Sequence, residues 1–416
     1  MLIHMGRSKV ILNEQQSKIV DEAIHWFYYS SNQLFEIDGD AGTGKSVTIY
    51  AILRELDLDE DEYLAMAYTG QAAAVMRSKG FFTARSIHSS LYEVVTEAAP
   101  ADSFTARFFG REIKKKRFRK KRRINDNIKL LFIDEAYMVP QRMVKDIMSF
   151  GVKVIVCGDS KQLPPVNDNP GFLTGFGVHH LTQLMRQSER SPIIYLAKRA
   201  SEGKYIHSGS YGNDLLVIND DELIPQMVGF ADCICCGTNH TRDILNSWVR
   251  HIANLDISPY PFPSERLICR NNNWKIENDG IALANGLCGT IQGNIDPTTM
   301  TKNKFYINFL PDLLRSPFVD LAVDTKYFLG NFEYRDTVRR LDTKAHTSGE
   351  LFEFAYALTT HLCQGSEYER GIYIEEFMRP QMNNQLNYTG ITRFKKQLIY
   401  VKKKRREIFV PSDVNI

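Results

Sequence analysis

The chain has 416 residues, of which 43% are hydrophobic and 24% charged, and a formal net charge of +3. This is the composition of a soluble globular protein that is too long for one ordinary core, so two or three domains are expected. No uninterrupted apolar run approaches the roughly 20 residues that cross a bilayer, and the N-terminus has no signal-peptide pattern, which argues against a membrane partner.

Taken in chain order, the first predicted element is a helix that begins after Leu12 and Asn13. Asn13 and Gln16 can form a capping box, and Ile19, Val20, Ala23, Ile24 and Phe27 recur on one helical face. The apolar run Leu34, Phe35 and Ile37 reads as a buried strand, and residues 47–56 read as a helix. Between them stands Gly39-Asp40-Ala41-Gly42-Thr43-Gly44-Lys45-Ser46, a complete G-x-x-x-x-G-K-[ST] phosphate loop in the strand-to-helix setting that the motif requires. Gly39, Gly42 and Gly44 open backbone angles closed to other residues, so that the N–H groups of this loop converge on phosphate oxygens at a helix N-terminus. Lys45 would reach the β and γ phosphates and Ser46 would ligate Mg²⁺, which predicts a nucleoside triphosphate, taken as ATP, with its cation.

Residues 111–123 hold ten Lys or Arg against one Glu, so the remainder of the chain is net acidic. A polyanion is the natural partner of such a patch, because neutralised phosphates release counterions whatever the base sequence. Phe108, Phe109 and Phe118 lie in or beside it and can stack on unpaired bases, which makes Lys114, Arg117, Phe118 and Arg119 candidate nucleic-acid contacts. A solvated basic loop or a localisation signal are the alternatives. Residues 129–135, KLLFIDE, form a buried strand that ends in an acidic pair. Asp134 would hold Mg²⁺ through water, and Glu135 is placed to act as general base on the attacking water. A further strand, 154–157, runs into Gly158-Asp159-Ser160-Lys161-Gln162-Leu163-Pro164-Pro165. A strand ending at that edge of a parallel sheet delivers its loop to the ligand crevice, where Gln162 could touch both the γ phosphate and the water.

A second α/β unit follows, with strands at 231–239, 352–359 and 371–374 and a helix at 240–253 whose Leu245 and Trp248 face inward. Residues 275–350 show weak patterning apart from Asn285-Gly286 and Gly289, and the basic run 402–406 reads as the solvated end of the last strand. The seven cysteines (Cys157, Cys233, Cys235, Cys236, Cys269, Cys288 and Cys363) sit mostly among apolar residues and match no zinc template. Cys233, Cys235 and Cys236 with His240 could be a metal group, but a buried strand of reduced thiols is the simpler reading and implies a reducing, intracellular compartment.

The order GDAGTGKS, AYTGQAAA (67–74), SIHS (86–89), FIDEA, GDSKQLPPV, LMRQ (184–187), LTTHLCQGSE (358–367) and YTGITR (388–393) resembles a superfamily 1 DNA helicase, and within it the 1B enzymes of RecD-like and Dda type. The resemblance runs from Leu12 to Val401. It implies an α/β fold of two RecA-like P-loop NTPase lobes, with parallel sheets flanked by helices. The first lobe would span 1–90 and 128–190, interrupted by a basic insertion at 91–127 that carries a strand-separating pin. The second would span 191–274 and 351–416, interrupted by a small SH3-like β-barrel at 275–350.

The implied activity is ATP-dependent 5′ to 3′ helicase action in DNA replication, recombination or repair. Its partners would be single-stranded DNA and forked duplex, with a single-stranded-DNA-binding protein or replication and recombination factors beside them. A monomer in the cytoplasm of a prokaryote or an infected host cell is implied. The resemblance gives Gln16 an adenine-reading role and Glu367 a place at the nucleotide. Arg186 and Arg393 become the arginine fingers, and Thr69, His88, Asn239, Thr359 and His361 become contacts to the DNA backbone, which position a strand without reading it. Two departures stand out: Leu362-Cys363 replaces Lys-Ser or Lys-Ala, and Tyr137 replaces serine after Asp-Glu-Ala. A protein-displacing translocase and a non-motor nucleotide-dependent binding subunit are the alternative readings.

Overall fold

The computed structural model describes residues 2–5, 8–98, 114–185, 190–341, 347–377 and 380–403. Arg186, Phe108, Phe109, residues 111–113 of the basic segment and residues 404–406 of the C-terminal run lie outside the described residues.

The phosphate loop leaves the strand Leu34–Gly39, which sits inside a six-stranded, wholly parallel sheet. The strands run His179–Leu181, Leu34–Gly39, Lys153–Gly158, Leu130–Asp134, Tyr63–Ala67 and Arg85–Ser86 across the sheet. A parallel sheet is covered on both faces, and the side-chain period of two sorts its residues between two cores. Leu130 and Phe132 join Ile19, Val20, Trp26 and Ile52 on one face, whereas Leu131, Ile133, Val154 and Val156 join Met143, Ile147 and Phe172 on the other. The first helix, Glu14–Tyr29, starts on the expected capping box of Asn13 and Gln16 and buries Ile19, Val20 and Ala23.

The second lobe repeats the plan with a six-stranded sheet ordered Gly209–Tyr211, Leu215–Asn219, Phe394–Lys402, Tyr368–Ile374, Cys233–Cys236 and Ala357–Thr359. Its first pair is antiparallel and the rest are parallel. Helix Asn239–Ile252 buries Leu245 and Trp248 as expected. Cys233, Cys235 and Cys236 are buried free thiols on one strand and His240 is exposed, as the reduced-strand reading requires.

The stretch 352–359 is two strands rather than one. Phe352–Phe354 pairs antiparallel with Arg266–Cys269 in a separate sheet, and Ala357–Thr359 pairs with Cys233–Cys236. Alternation of apolar residues is the same in both, so periodicity cannot reveal where the chain changes sheets. The separate sheet has five antiparallel strands, Phe318–Asp324, Lys304–Pro311, Cys288–Gln292, Arg266–Cys269 and Phe352–Phe354. Its two edges approach at an isolated bridge between Val323 and Glu350, where Asp324 N donates to Glu350 O at 3.0 Å and Glu350 N to Ala322 O at 2.6 Å. The sheet therefore reaches beyond 275–350 on both sides. Within the basic insertion, Tyr92–Ala98 and Lys114–Lys120 form an antiparallel ribbon with Tyr92 opposite Lys120.

Gly371 lies in a central strand of the second lobe, where a Cβ would run into the Phe394 ring and come within 2.5 Å of the Cys233 carbonyl oxygen. Gly371→Ala is expected to cost about 1–3 kcal/mol through overpacking. At about 2–4 °C per kcal/mol for a unit of this size, thermal melting should show a clear loss, and an unchanged midpoint would contradict the packing described.

Candidate nucleotide site and nucleic-acid cleft

The backbone of the phosphate loop has the geometry that the motif demands. Gly42 and Gly44 take φ values of +81° and +82°, and helix Lys45–Glu55 starts directly after Gly44. At Gly44 a Cβ would collide with the Gln16 amide and stand 3.1 Å from the Met185 sulfur, so glycine is needed for space as well as for φ. Lys45 Nζ donates to the carbonyls of Gly39 at 2.6 Å and Asp40 at 3.1 Å, and faces Asp159 Oδ2 at 3.9 Å. Burial works against its charge, but the carboxylates of Asp159, Glu135 and Asp134 outweigh burial and raise its pKa.

Three acidic side chains share this pocket. Asp134 ends its strand and accepts a hydrogen bond from Glu135 N at 2.9 Å. Glu135 itself adopts a left-handed φ of +51°, a conformation uncommon for a non-glycine residue and one that clusters at functional sites. Burial raises the pKa values of Asp134, Glu135 and Asp159, against the pull of Lys79 and Lys45 at Asp134, of Arg393, Lys45 and Lys79 at Glu135, and of Lys45 at Asp159. Gln162 is buried; its Nε2 lies 3.5 Å from Asp159 Oδ2, and its Oε1 is buried without a hydrogen-bond partner, as suits an amide aimed at a ligand or water.

These features fit a triphosphate and a hard cation. The Ser46 hydroxyl would supply an oxygen ligand to Mg²⁺ and the Asp134 carboxylate would hold it through water, with the remainder from phosphate and water. Among the described residues no three His, Cys, Asp or Glu side chains form a self-sufficient metal cage.

The second lobe completes the pocket. Arg393 is buried, donates to Thr389 O at 3.0 Å, Ser366 O at 3.3 Å and Thr392 Oγ1 at 3.2 Å, and brings Nη1 to 3.8 Å from Glu135 Oε1. Tyr388 accepts from Ala41 N at 2.9 Å and donates to Asp159 Oδ2 at 2.6 Å. Leu163 is held from both backbone ends, its N donating to Thr389 Oγ1 at 2.9 Å and its carbonyl accepting from Gln364 Nε2 at 2.9 Å. Sequence reading did not single out Asp159, Tyr388 or Thr389. All three lie inside quoted motifs, but nothing in the spacing says which face of its element each occupies.

Gln16 has a fuller structural role than expected. Its Oε1 accepts from Asn13 N at 3.0 Å, while Nε2 donates to Thr43 O at 3.0 Å and approaches Met185 Sδ at 3.2 Å. Capping and grip on the loop thus occupy both ends of the amide. Glu367 carries two lysines, Lys79 of the first lobe at 2.9 Å and Lys395 of the second at 2.6 Å. Burial alone would raise its carboxyl, but Lys79 and Lys395 hold it down to about 2.

The expected DNA residues divide by element. Thr69 caps helix Gly70–Ser78 by accepting from Ala72 N at 3.1 Å, and Thr359 caps Thr360–Cys363 by accepting from Leu362 N at 3.4 Å. Asn239 begins its helix, half-buried. His88 and His361 are partly buried with pKa values lowered by burial, so both are neutral near pH 7 and can donate from one ring nitrogen only. Lys114 and Arg117 lie on the second strand of the basic ribbon, and Arg119 pairs with Glu93 at 2.9 Å across it. Phe118, also on that strand and exposed, lies 5.0 Å from the His88 ring and 6.2 Å, edge-on, from Trp274 of the hairpin Asn273–Asn278 and Ile281–Leu283. Arg77 donates to the Asp279 carbonyl at 2.5 Å and the Gly280 carbonyl at 2.9 Å of the same hairpin. Trp274 and Arg77 thus tie this hairpin to the first lobe and its ribbon, contacts that sequence reading missed because pairing between distant insertions leaves no local pattern.

The two departures have structural accounts. Leu362 packs against the second lobe's core and Cys363 is fully buried in it. Tyr137 follows Glu135 in a 3₁₀ turn, where its hydroxyl engages Gln385 of the second lobe.

Residues 11–213 match a family model described as an AAA domain. The ATP-dependent RecD2 DNA helicase of Deinococcus radiodurans is 25% identical over 408 residues, 92% of this chain and 48% of that protein. Uncharacterized protein R530 of Acanthamoeba polyphaga mimivirus is 26% identical over 176 residues, 38% of this chain and 34% of that protein. The chain therefore spans about half or less of these relatives' length. Among solved structures, Pif1 helicase from Candida albicans aligns over 97% of both chains at 16% identity with a TM-score of 0.53. Pif1 helicase from Bacteroides, in complex with ADP-AlF3 and single-stranded DNA, aligns over 97% of this chain and 95% of its own at 17% identity with the same TM-score. The two RecA-like lobes are the fold these likenesses share.

The depressed Glu367 carboxyl makes a pH prediction. A carboxyl held at about 2 when folded, against an ordinary 4.5, contributes stability that is complete above pH 4.5 and lost as pH falls toward 2. Glu367→Gln should therefore melt below the parent at neutral pH, and the gap should close as the pH is lowered through that window. A gap independent of pH would show that the two lysines do not set the Glu367 carboxyl.

Proposed function

We propose that this chain, which carries the motif order of RecD-like superfamily 1B helicases on the fold of the Pif1 helicases, is an ATP-driven motor that moves 5′ to 3′ on single-stranded DNA and separates duplex ahead of it. One observation carries the reading: Arg393 of the second lobe lies 3.8 Å from Glu135 of the first, so the hydrolytic residues are assembled only when the lobes are together. A site split between lobes converts nucleotide turnover into relative motion, because binding draws the halves together and loss of the γ phosphate removes the reason to stay closed.

The roles follow from chemistry. Lys45 and the loop amides from Gly39 to Ser46 cradle the phosphates, and Ser46 and Asp134 hold Mg²⁺, which when bound neutralises charge on the transferring phosphoryl group. Glu135 takes the proton of the attacking water while Gln162 orients it. Arg393, together with Arg186, stabilises the charge that develops in the transition state. Gln16 would meet adenine by exchanging its contacts to Thr43 and Met185 for the base. Glu367, between Lys79 and Lys395, ties the nucleotide side of one lobe to the other.

For DNA, Thr69, His88, Asn239, Thr359 and His361 offer sequence-neutral hydrogen bonds to phosphates, as a translocating grip requires. The basic ribbon with Lys114, Arg117 and Arg119 would meet the duplex at a fork, and Phe118, opposite Val94 near the base of the ribbon and edge-on to Trp274, offers an aromatic face that can stack against an unpaired base. The direction of movement and the roles in replication, recombination or repair rest on family resemblance.

Two measurements test the proposal. Arg393→Ala should lower DNA-stimulated kcat for ATP by about 10³, the smaller end of what a finger supplies, with a smaller change in KM; equal losses in both would move Arg393 from the transition state to ground-state binding. Duplexes with only a 5′ or only a 3′ single-stranded tail should differ sharply, the 5′-tailed one being unwound in the presence of ATP. Preference for the 3′ tail would refute the polarity, and unwinding of neither alongside DNA-stimulated turnover would favour the protein-displacing translocase.

A further inference from the structure

The hydroxyl of Tyr388 holds a position that neither catalysis nor DNA contact explains. The residue lies on helix Pro380–Ile391 of the second lobe, 3% exposed, with its ring in that lobe's core. Its oxygen accepts the Ala41 amide of the phosphate loop at 2.9 Å, and its proton goes to Asp159 Oδ2 at 2.6 Å. Among the described residues this is the one hydrogen bond between the second lobe and the backbone of residues 39–46. Ala41 itself packs against the second lobe's core. Asp159 in turn faces Lys45 at 3.9 Å, and Lys45 is bonded to the carbonyls of Gly39 and Asp40 on either side of the same turn. One hydroxyl from the far lobe thus touches a loop amide directly and reaches the loop lysine through a single buried carboxylate.

We propose that Tyr388 is a positioning residue that couples the separation of the lobes to nucleotide affinity. The inference rests on the motor reading given above. While the lobes are together, the hydroxyl fixes the Ala41 amide and aims Asp159 at Lys45. When the second lobe moves away, both bonds break at once, because one atom makes them. The loop then loses a restraint and the lysine loses an oriented partner. A hydrogen bond made across an interface acts as a sensor only if its two partners cannot follow the donor, and here Ala41 and Asp159 are tied to the first lobe by the parallel sheet. Thr389 and Gln364, by contrast, spend their interlobe hydrogen bonds on the backbone of Leu163.

The test is the mutual effect of two ligands at equilibrium, which obeys reciprocity, whereas kinetic constants need not. The affinity for a non-hydrolysable ATP analogue is measured by calorimetry with and without an oligo(dT) strand, for the parent chain, Tyr388→Phe and Thr389→Val. Phenylalanine keeps the buried ring and removes both bonds. The parent should show a coupling of at least about fivefold, the lower end of ordinary allosteric coupling. Tyr388→Phe should bring it to within twofold of none, and Thr389→Val, which deletes an interlobe bond of similar kind, should keep most of it. Equal collapse in both variants would mean general adhesion between lobes and would overturn the proposal, as would retained coupling in Tyr388→Phe. Should the phenylalanine variant fail to fold, Asp159→Ala removes the arm that reaches Lys45 and leaves the Ala41 bond, so coupling should fall below the parent's, and coupling at the parent's full value there overturns the proposal as well. A parent chain whose ATP turnover ignores DNA fails earlier, at the motor reading, and takes this proposal with it.

Discussion

Buried charge is the constraint on which the rest of this structure depends. Asp134, Glu135 and Asp159 are packed with Lys45 in a pocket where burial alone pushes all three carboxyls up. The first lobe sets Lys45 and Lys79 against these carboxyls, a balance that is costly in a low-dielectric setting unless more positive charge arrives. Arg393 brings part of it from the second lobe, and a nucleotide-bound cation would bring the remainder. Neither lobe is electrostatically complete, so the pocket draws its charged groups from both.

That constraint explains where the backbone departs from routine. Glu135 is held at a positive φ, and Gly42 and Gly44 turn the loop over the helix N-terminus. Close approaches surround the same place: Gly44 under Gln16 and Met185, Gly158 under Leu173 and the amides of Ala136 and Tyr137, and Gly365 of the second lobe against Ala72 of the first. Each glycine is where another element must come near, so the motifs that read as nucleotide chemistry are equally rules for packing two lobes around one pocket.

The sequence was most legible where chemistry is local. A strand, a phosphate loop and a helix in register, an acidic pair closing a strand, and the capping box of Asn13 and Gln16 all depend on neighbours within a few residues, and each stands where the pattern put it. It was least legible where structure depends on partners far along the chain. The stretch 352–359 changes sheets between Phe354 and Ala357 without a break in its alternation, because the two sheets impose the same period. The meeting of Phe118 with Trp274, and the grip of Tyr388 on Ala41, join residues more than a hundred positions apart. Glu367 shows a third kind of limit, since resemblance assigned it to the nucleotide while its carboxylate spans Lys79 and Lys395 of different lobes.

The insertions extend the same logic beyond the ATP pocket. The five-stranded sheet belongs to the second lobe by chain order, yet its hairpin at 273–283 reaches Arg77, and Gln71 of the first lobe approaches Cys288 N at 3.4 Å. The basic ribbon belongs to the first lobe, yet its Phe118 meets Trp274 of that hairpin. Each lobe therefore sends a projection onto the other, on elements separate from the arginine and tyrosine that bridge the pocket. The pocket and the insertions thus join the same two lobes through separate sets of residues, Arg393 and Tyr388 at the one and Arg77, Gln71 and Phe118 at the other.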